Sequence, residues 1–202
     1  MKNLVLLLAA LGILSGCTAS LPEIPVDHRS VEPGSKVTRG GNTELALLGS
    51  AIQIGGQLPS ARLVDTHLRP VDLSTRRGEV LLVSIVPSID TQVCERQTHL
   101  LWEAEVANGV RKITISRDLP FAQQRFADAT GFGDIQFLSD FQKAEFGSRS
   151  GLLVDQIYLL ARSVLVIDQE GTIRYLQVVP ELSHLPDMER AVAEAAALAG
   201  NQ

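Results

Sequence analysis

The run Val80-Leu81-Leu82-Val83-Ser84-Ile85-Val86 leads directly into Pro87-Ser88-Ile89-Asp90-Thr91-Gln92-Val93-Cys94, and then into residues 95–106. A short, nearly unbroken apolar run closed by a proline reads as a strand buried on both faces. Residues 95–106 alternate charged and apolar side chains at helical spacing and read as an amphipathic helix. Together they place Cys94 in the first turn of a helix that leaves a buried strand through a short loop. Unpaired backbone N–H groups at a helix start favour negative charge, so they favour a thiolate over a thiol. A buried, inert cysteine is the other reading, because free cysteine is often fully buried. The neighbours favour reactivity. Thr91 is three residues upstream, where its hydroxyl can fold back over the sulfur. Pro87 has no N–H, stiffens the loop and shields the sulfur from water. Each also has an ordinary role: Thr91 or Asp90 can cap the helix, and Pro87 can simply end the strand.

The chain has 202 residues, which fits one domain, and its 45% hydrophobic content permits a substantial core. A net charge of −5 with no basic block argues against nucleic acid as a partner. The four histidines show no metal-ligand spacing, and no metal or cofactor is expected. There are two cysteines, Cys17 and Cys94.

Cys17 closes a different kind of segment. Lys2 and the apolar stretch Leu4–Leu14 form a signal-like leader, shorter than the about 20 residues a membrane span needs. Leu14-Ser15-Gly16-Cys17 is similar to a bacterial lipobox, which implies cleavage before Cys17 and lipidation of its side chain. An ordinary secretory signal or an uncleaved anchor is the alternative. The expected organisation is a lipoprotein signal peptide at 1–16, a lipidated N-terminus and flexible tether at 17–36, and a folded domain at 37–202. Pro22, Pro25 and Pro33 support an extended tether; a loop packed on the domain is the other possibility.

Within the domain, Glu44–Leu48 reads as a strand after the turn Gly40-Gly41-Asn42. Arg62–Asp65 and Pro70–Leu73 read as short strands. Lys112–Ser116 and Gln136–Ser139 read as further strands. Leu119-Pro120 opens a helix running to about Ala129, and 141–151 reads as irregular. Ser163–Asp168 and Thr172–Val179 form a hairpin, and Asp187–Leu198 a closing helix. This alternation supports an α/β class with a central sheet flanked by helices.

Pro87, Thr91 and Cys94 form Pro-x-x-x-Thr-x-x-Cys, which resembles the active site of the peroxiredoxins. The longer string Pro87–Cys94 resembles their thiol peroxidase subfamily. Three other stretches agree: Val37-Thr38-Arg39-Gly40-Gly41-Asn42, Ser116–Phe126 and Leu160–Asp168. The resemblance covers about residues 36–200. It implies a thioredoxin-like fold with an N-terminal β-hairpin and reduction of hydroperoxides. Cys94 would attack the peroxide and become a sulfenic acid. Thr91 would hydrogen-bond the thiolate and peroxide, Pro87 would shield the sulfur, and Arg162 would favour the thiolate and polarise the peroxide. Glu95, Arg96 and His99 read as helix-surface residues.

Two departures stand out. The subfamily's resolving cysteine follows the Arg-Phe of its Asp-Leu-Pro-Phe motif, and Ala127 occupies that position here. An external thiol, either a thioredoxin-like protein or a small thiol, is then expected to regenerate Cys94. Residues 151–160 also lack the subfamily's usual Asp-Gly-Pro-Leu and are shorter, which bears on the pocket and on the homodimer that the resemblance implies. The expected substrates are alkyl or lipid hydroperoxides and hydrogen peroxide. The expected place is the bacterial envelope, facing the periplasm and anchored through Cys17, with the outer membrane favoured by Thr18-Ala19-Ser20. The alternative function is a membrane-tethered redox-sensing or binding module, or a scaffold, with little turnover.

Overall fold

A computed structural model describes residues 23–200. The leader, Cys17 and the first part of the tether lie outside the described residues. The chain enters as β1 (Val26–Asp27), then forms a hairpin of β2 (Lys36–Arg39) and β3 (Thr43–Leu48). There follow β4 (Leu63–Asp65), β5 (Pro70–Val71), β6 (Val80–Ile85), α1 (Gln92–Glu103), β7 (Val110–Ser116), α2 (Pro120–Thr130), β8 (Gln136–Ser139) and α3 (Glu145–Ser150). The last part adds β9 (Leu153–Val154), β10 (Leu159–Leu160), β11 (Ser163–Ile167), β12 (Ile173–Val178), β13 (Leu185–Pro186) and α4 (Met188–Ala199).

Seven strands form the central sheet in the order β12-β11-β6-β7-β8-β4-β5. β6, β7 and β8 are parallel neighbours, while β11 lies antiparallel to β6 and β4 antiparallel to β8. Every residue of β6 is buried, which is why its sequence is a continuous apolar run rather than an alternating one. Its side chains still alternate between faces. Leu81, Val83 and Ile85 join one core with Phe146 and Leu160. Val80 and Leu82 join a second core with Leu101 of α1 and with Ala191 and Ala195 of α4. The α/β sandwich expected from the sequence is therefore observed. A separate four-stranded sheet, β10-β9-β3-β2, contains the expected hairpin.

Two expectations need correction. From Glu23 onward the stretch expected to be a flexible tether is packed on the domain. β1 pairs in parallel with β13, Leu185 N–H donates to the Pro25 carbonyl at 2.8 Å, and Val31 N–H donates to the Val178 carbonyl at 3.0 Å. The physical reason is β12, an edge strand of the central sheet whose open backbone groups need covering. Gln177 on that strand donates to the Arg29 carbonyl at 3.0 Å, and Ser30 Oγ accepts from Val178 N–H at 3.0 Å. A proline-rich extended segment suits this task. The second correction is α3, inside the stretch read as irregular. It is a single short turn held by a side chain outside it: Asp140 accepts from the N–H groups of Phe146 at 3.1 Å and Gly147 at 2.9 Å. Six residues are too few to show a helical period.

The hairpin is fixed at both ends. At its turn, the carboxylate of Glu181 accepts from Gly40 N–H at 3.1 Å, Gly41 N–H at 2.9 Å and Thr38 Oγ1 at 2.8 Å. At the far end Gly49 has φ +108°, and a Cβ there would lie 1.8 Å from the carbonyl oxygen of Ser148. Only glycine allows the end of β3 to come this close to α3.

Candidate active site

The loop between β6 and α1 is pinned before the helix begins. The Asp118 carboxylate accepts from Ser88 Oγ and from Ile89 N–H, both at 2.8 Å. Asp118 belongs to the Ser-Arg-Asp-Leu-Pro-Phe stretch, so this second segment shapes the first. Pro87 is buried at the loop's start. Thr91 takes the N-cap position of α1 with an extended backbone, and its carbonyl accepts from Glu95 N–H at 2.8 Å.

The Thr91 hydroxyl differs from expectation. It donates to the Ser88 carbonyl at 3.3 Å and makes no cap hydrogen bond. It lines the cavity beside the sulfur without bonding to it. Its exposed position leaves the rotamer free to change when a ligand enters.

Cys94 is the third residue of α1 and has no exposed surface. It packs with Val86 and Ile89 of the loop and with Ala122 and Phe126 of α2. Arg162, immediately before β11, is only 2% exposed. Its Nη2 donates to Cys94 Sγ at 3.3 Å, Nη1 to Gln97 Oε1 at 2.8 Å, and Nε to the Leu182 carbonyl at 3.0 Å. All three donor directions are therefore fixed, with the cation set against the sulfur in a buried site. In such surroundings a guanidinium stabilises an adjacent anion far better than in water.

Gln97 is a site residue that the sequence reading did not identify. Its Nε2 donates to Ser84 Oγ at 2.8 Å and to the carbonyls of Ile85 and Ser163 at 3.3 Å, so its oxygen faces Arg162. The signal was present, since Gln97 lies three residues after Cys94 on the same helical face. Leu182 acts through its carbonyl, which no side-chain pattern could mark.

Glu181, next to Leu182, supports the same arrangement from behind. Burial pushes its carboxyl up, but hydrogen bonds from Gly41, Ser183 and Thr38 outweigh that and hold it at about 2. The ionised carboxylate thereby ties the Leu182 loop to the hairpin turn.

A cavity of about 300 Å³ opens over this cluster. Pro87, Thr91 and Arg162 line it, with Val93 and Leu182. Residues 151–160 form β9, β10 and their connection, and contribute Ile157 and Leu159 to the wall. The hairpin contributes Arg39. Pro87, Thr91 and Arg162 thus lie around one cavity, with Cys94 against Arg162. His99 lies away from them, edge-on to Phe132 with ring centres 4.7 Å apart. Among the described residues no group of three or more histidine, cysteine or acidic side chains is arranged to hold a metal. Cys94 is the free cysteine of the described residues, and Ala127 sits on α2 half-buried in the second core.

Comparisons with known proteins agree with this geometry. Residues 53–195 match the family described as Redoxin. The chain is 39% identical over 165 residues to the thiol peroxidase of Halalkalibacterium halodurans, covering 81% of this chain and 98% of that protein. It is 37% identical to the thiol peroxidase of Bacillus subtilis, covering 76% and 93%. Among solved structures, a peroxiredoxin-like protein from Aquifex aeolicus superposes with a TM-score of 0.75 at 32% identity, covering 81% of this chain and 96% of that one.

Proposed function

This chain belongs to the redoxin family, in its thiol peroxidase branch, and we propose that it is a thiol-dependent peroxidase working through Cys94. The observation that carries the reading is the Arg162–Cys94 contact, 3.3 Å long, at the start of α1 and beneath an open cavity. The thiolate attacks the terminal oxygen of a hydroperoxide. The O–O bond breaks, sulfur becomes a sulfenic acid, and the departing oxygen takes a proton and leaves as water or alcohol. Arg162 faces both the attacking sulfur and the developing charge, Pro87 excludes water, and Thr91 reorients to hold the peroxide. The apolar wall favours alkyl or lipid hydroperoxides over hydrogen peroxide.

Regeneration belongs to an outside thiol. With Ala127 where a resolving cysteine is expected, one external thiol condenses with the sulfenic acid and releases water, and a second reduces the mixed disulfide. Cys17, as the lipid-modified N-terminus, holds the enzyme at the periplasmic face of an envelope membrane, the outer membrane being favoured, and the active unit is a homodimer. Incorporation of a fatty-acyl label that Cys17→Ser abolishes tests the anchor. Sedimentation of the purified chain tests the dimer.

The experiment for the activity is single-turnover oxidation of the reduced full chain by cumene hydroperoxide, with a sulfenic-acid trap read by mass spectrometry. Fast trapping at Cys94, absent in Cys94→Ser and slowed in Arg162→Ala, is the expected result. A rate no better than that of a free thiol sinks the enzyme reading and returns attention to a sensing role.

A further inference from the structure

Arg162 is held twice by one link of the chain. Its carbonyl accepts from Val179 N–H at 2.9 Å, and its Nε donates to the Leu182 carbonyl at 3.0 Å. Both partners belong to residues 178–185, which run from the end of β12 to the start of β13. The hairpin holds the middle of this link, where Leu182 N–H donates to the Thr38 carbonyl at 2.9 Å. The N-terminal stretch Glu23–Val31 holds its two ends. At the first end, Val178 N–H donates to Ser30 Oγ and Val31 N–H donates to the Val178 carbonyl, both at 3.0 Å. At the second end, Leu185 N–H donates to the Pro25 carbonyl at 2.8 Å, and His184 Nδ1 lies 3.4 Å from Asp27 Oδ2. Gln177 joins the two ends. Its Nε2 donates to the carbonyls of Asp27 and Arg29, and its Oε1 accepts from Asp187 N–H at 2.8 Å.

One residue sets the course of that N-terminal stretch. Asp27 is its one buried residue, at 5% exposure. The Asp27 carboxylate accepts from Arg29 N–H at 3.1 Å, from Arg29 Nε at 2.9 Å and from Arg29 Nη2 at 2.8 Å. An aspartate bonded to the backbone two residues on fixes a local turn. Here the turn lets Pro25 meet Leu185 while Ser30 meets Val178. The stretch precedes the family match at residues 53–195, so that match gives it no role. We propose that Asp27 is a positioning residue for the chemistry at Cys94. It shapes the N-terminal stretch into a clasp on residues 178–185, and the clasp aims the Arg162 guanidinium at the Cys94 sulfur. The proposal rests on the role of Arg162 in the peroxidase reading. Asp27 touches neither the sulfur nor the peroxide and acts only through the link. When the clasp opens, the Leu182 carbonyl shifts, Arg162 turns from the sulfur, and the thiolate loses its charged partner.

The test is the pH profile of Cys94 alkylation by iodoacetamide in the full chain, read at Cys94 by mass spectrometry and needing no peroxide. In Asp27→Ala the midpoint should rise by about half a pH unit, and oxidation by cumene hydroperoxide should slow about fivefold. Asp27→Asn keeps an oxygen for Arg29 and should lie between Asp27→Ala and the unmodified protein. Ser30→Ala removes only the acceptor for Val178 N–H, a milder change, and should move the midpoint the same way. Asp168→Ala is the matched control. Asp168 is a buried carboxylate that holds the β11–β12 turn through Glu170, Thr172 and Arg174 and touches no residue of 178–185. Its loss should lower stability and leave the midpoint in place. A midpoint unmoved in Asp27→Ala, or in Ser30→Ala where Asp27→Ala does not fold, overturns the proposal. So does an equal shift in Asp168→Ala, which would mark a general loss of stability. Failure of cumene hydroperoxide to oxidise Cys94 in the unmodified protein overturns the peroxidase reading instead, a separable result.

Discussion

Arg162 and Gln97 meet at 2.8 Å in the protein interior, and Gln97 is oriented by three acceptors on its other side. The amide thereby fixes the direction in which the guanidinium faces Cys94. Replacing Gln97 with Met keeps the volume but removes the oxygen that holds Arg162 and the N–H groups that satisfy Ser84, Ile85 and Ser163. The expected result is a loss of about 2 kcal/mol in stability and about tenfold in the rate of Cys94 oxidation. Gln97→Glu separates the two effects. It keeps an oxygen for Arg162 but turns a second oxygen toward two carbonyls. Denaturant unfolding beside stopped-flow oxidation reads both quantities. Unchanged oxidation in Gln97→Met would remove the positioning role.

Arg162→Lys preserves the charge and loses the fork. A lysine cannot donate to Leu182, Gln97 and Cys94 in the same planar arrangement. Cys94 oxidation should slow by about a hundredfold, or about 2.7 kcal/mol of transition-state stabilisation. A loss under threefold would mean that charge alone suffices and geometry matters little.

Glu181 gives a pH-dependent stability with a definite sign. Its carboxyl sits at about 2 in the folded protein against an ordinary 4.5, so the folded state holds the deprotonated form more tightly. The stabilisation is complete above 4.5 and disappears as pH falls toward 2, amounting to about 3 kcal/mol. Asp27, lowered to about 2 chiefly by its hydrogen bond from Arg29, adds to the same acid limb. Glu181→Gln should therefore be less stable than the unmodified protein at neutral pH, with the difference closing between pH 4.5 and 2. Urea titrations across that range check this, and a constant difference down to pH 2 would contradict it.

Gly49→Ala addresses the other end of the hairpin. Both the positive φ and the 1.8 Å approach to Ser148 oppose a side chain. The expected loss is about 3 kcal/mol, with thermal unfolding as the readout. Gly133→Ala, where nothing lies within 4 Å, is the matched control and should stay within about 0.5 kcal/mol.

Much of the active-site core was legible in the sequence for local reasons. The Val80–Val86 run, the proline, and the cysteine eight residues after the run's end lie on one continuous stretch, so their relative placement follows from strand, loop and helix geometry alone. Pro120 marked the start of α2 correctly, since a proline is tolerated only in the first turn. What escaped reading depends on contacts between distant segments. The stretch from Glu23 to Val31 is ordered by an edge strand about 150 residues away, and α3 by the Asp140 carboxylate. Arg39 sat in a recognised stretch, yet nothing local to the hairpin indicated that it reaches the cavity. The Thr91 hydroxyl took a local partner, the Ser88 carbonyl three residues back, and a sequence does not show which of several nearby acceptors a hydroxyl will choose.

The Arg162–Cys94 contact also sets an order of events. The two residues are 68 positions apart in the chain, and Leu182, which aligns the guanidinium, comes 20 positions later still. During synthesis the thiol emerges well before the groups that activate it. A nascent or partly folded chain therefore carries Cys94 as an ordinary cysteine, slow toward peroxide, and gains its reactivity only when the C-terminal half closes over the sheet. Premature oxidation of an unfinished chain is disfavoured by topology alone.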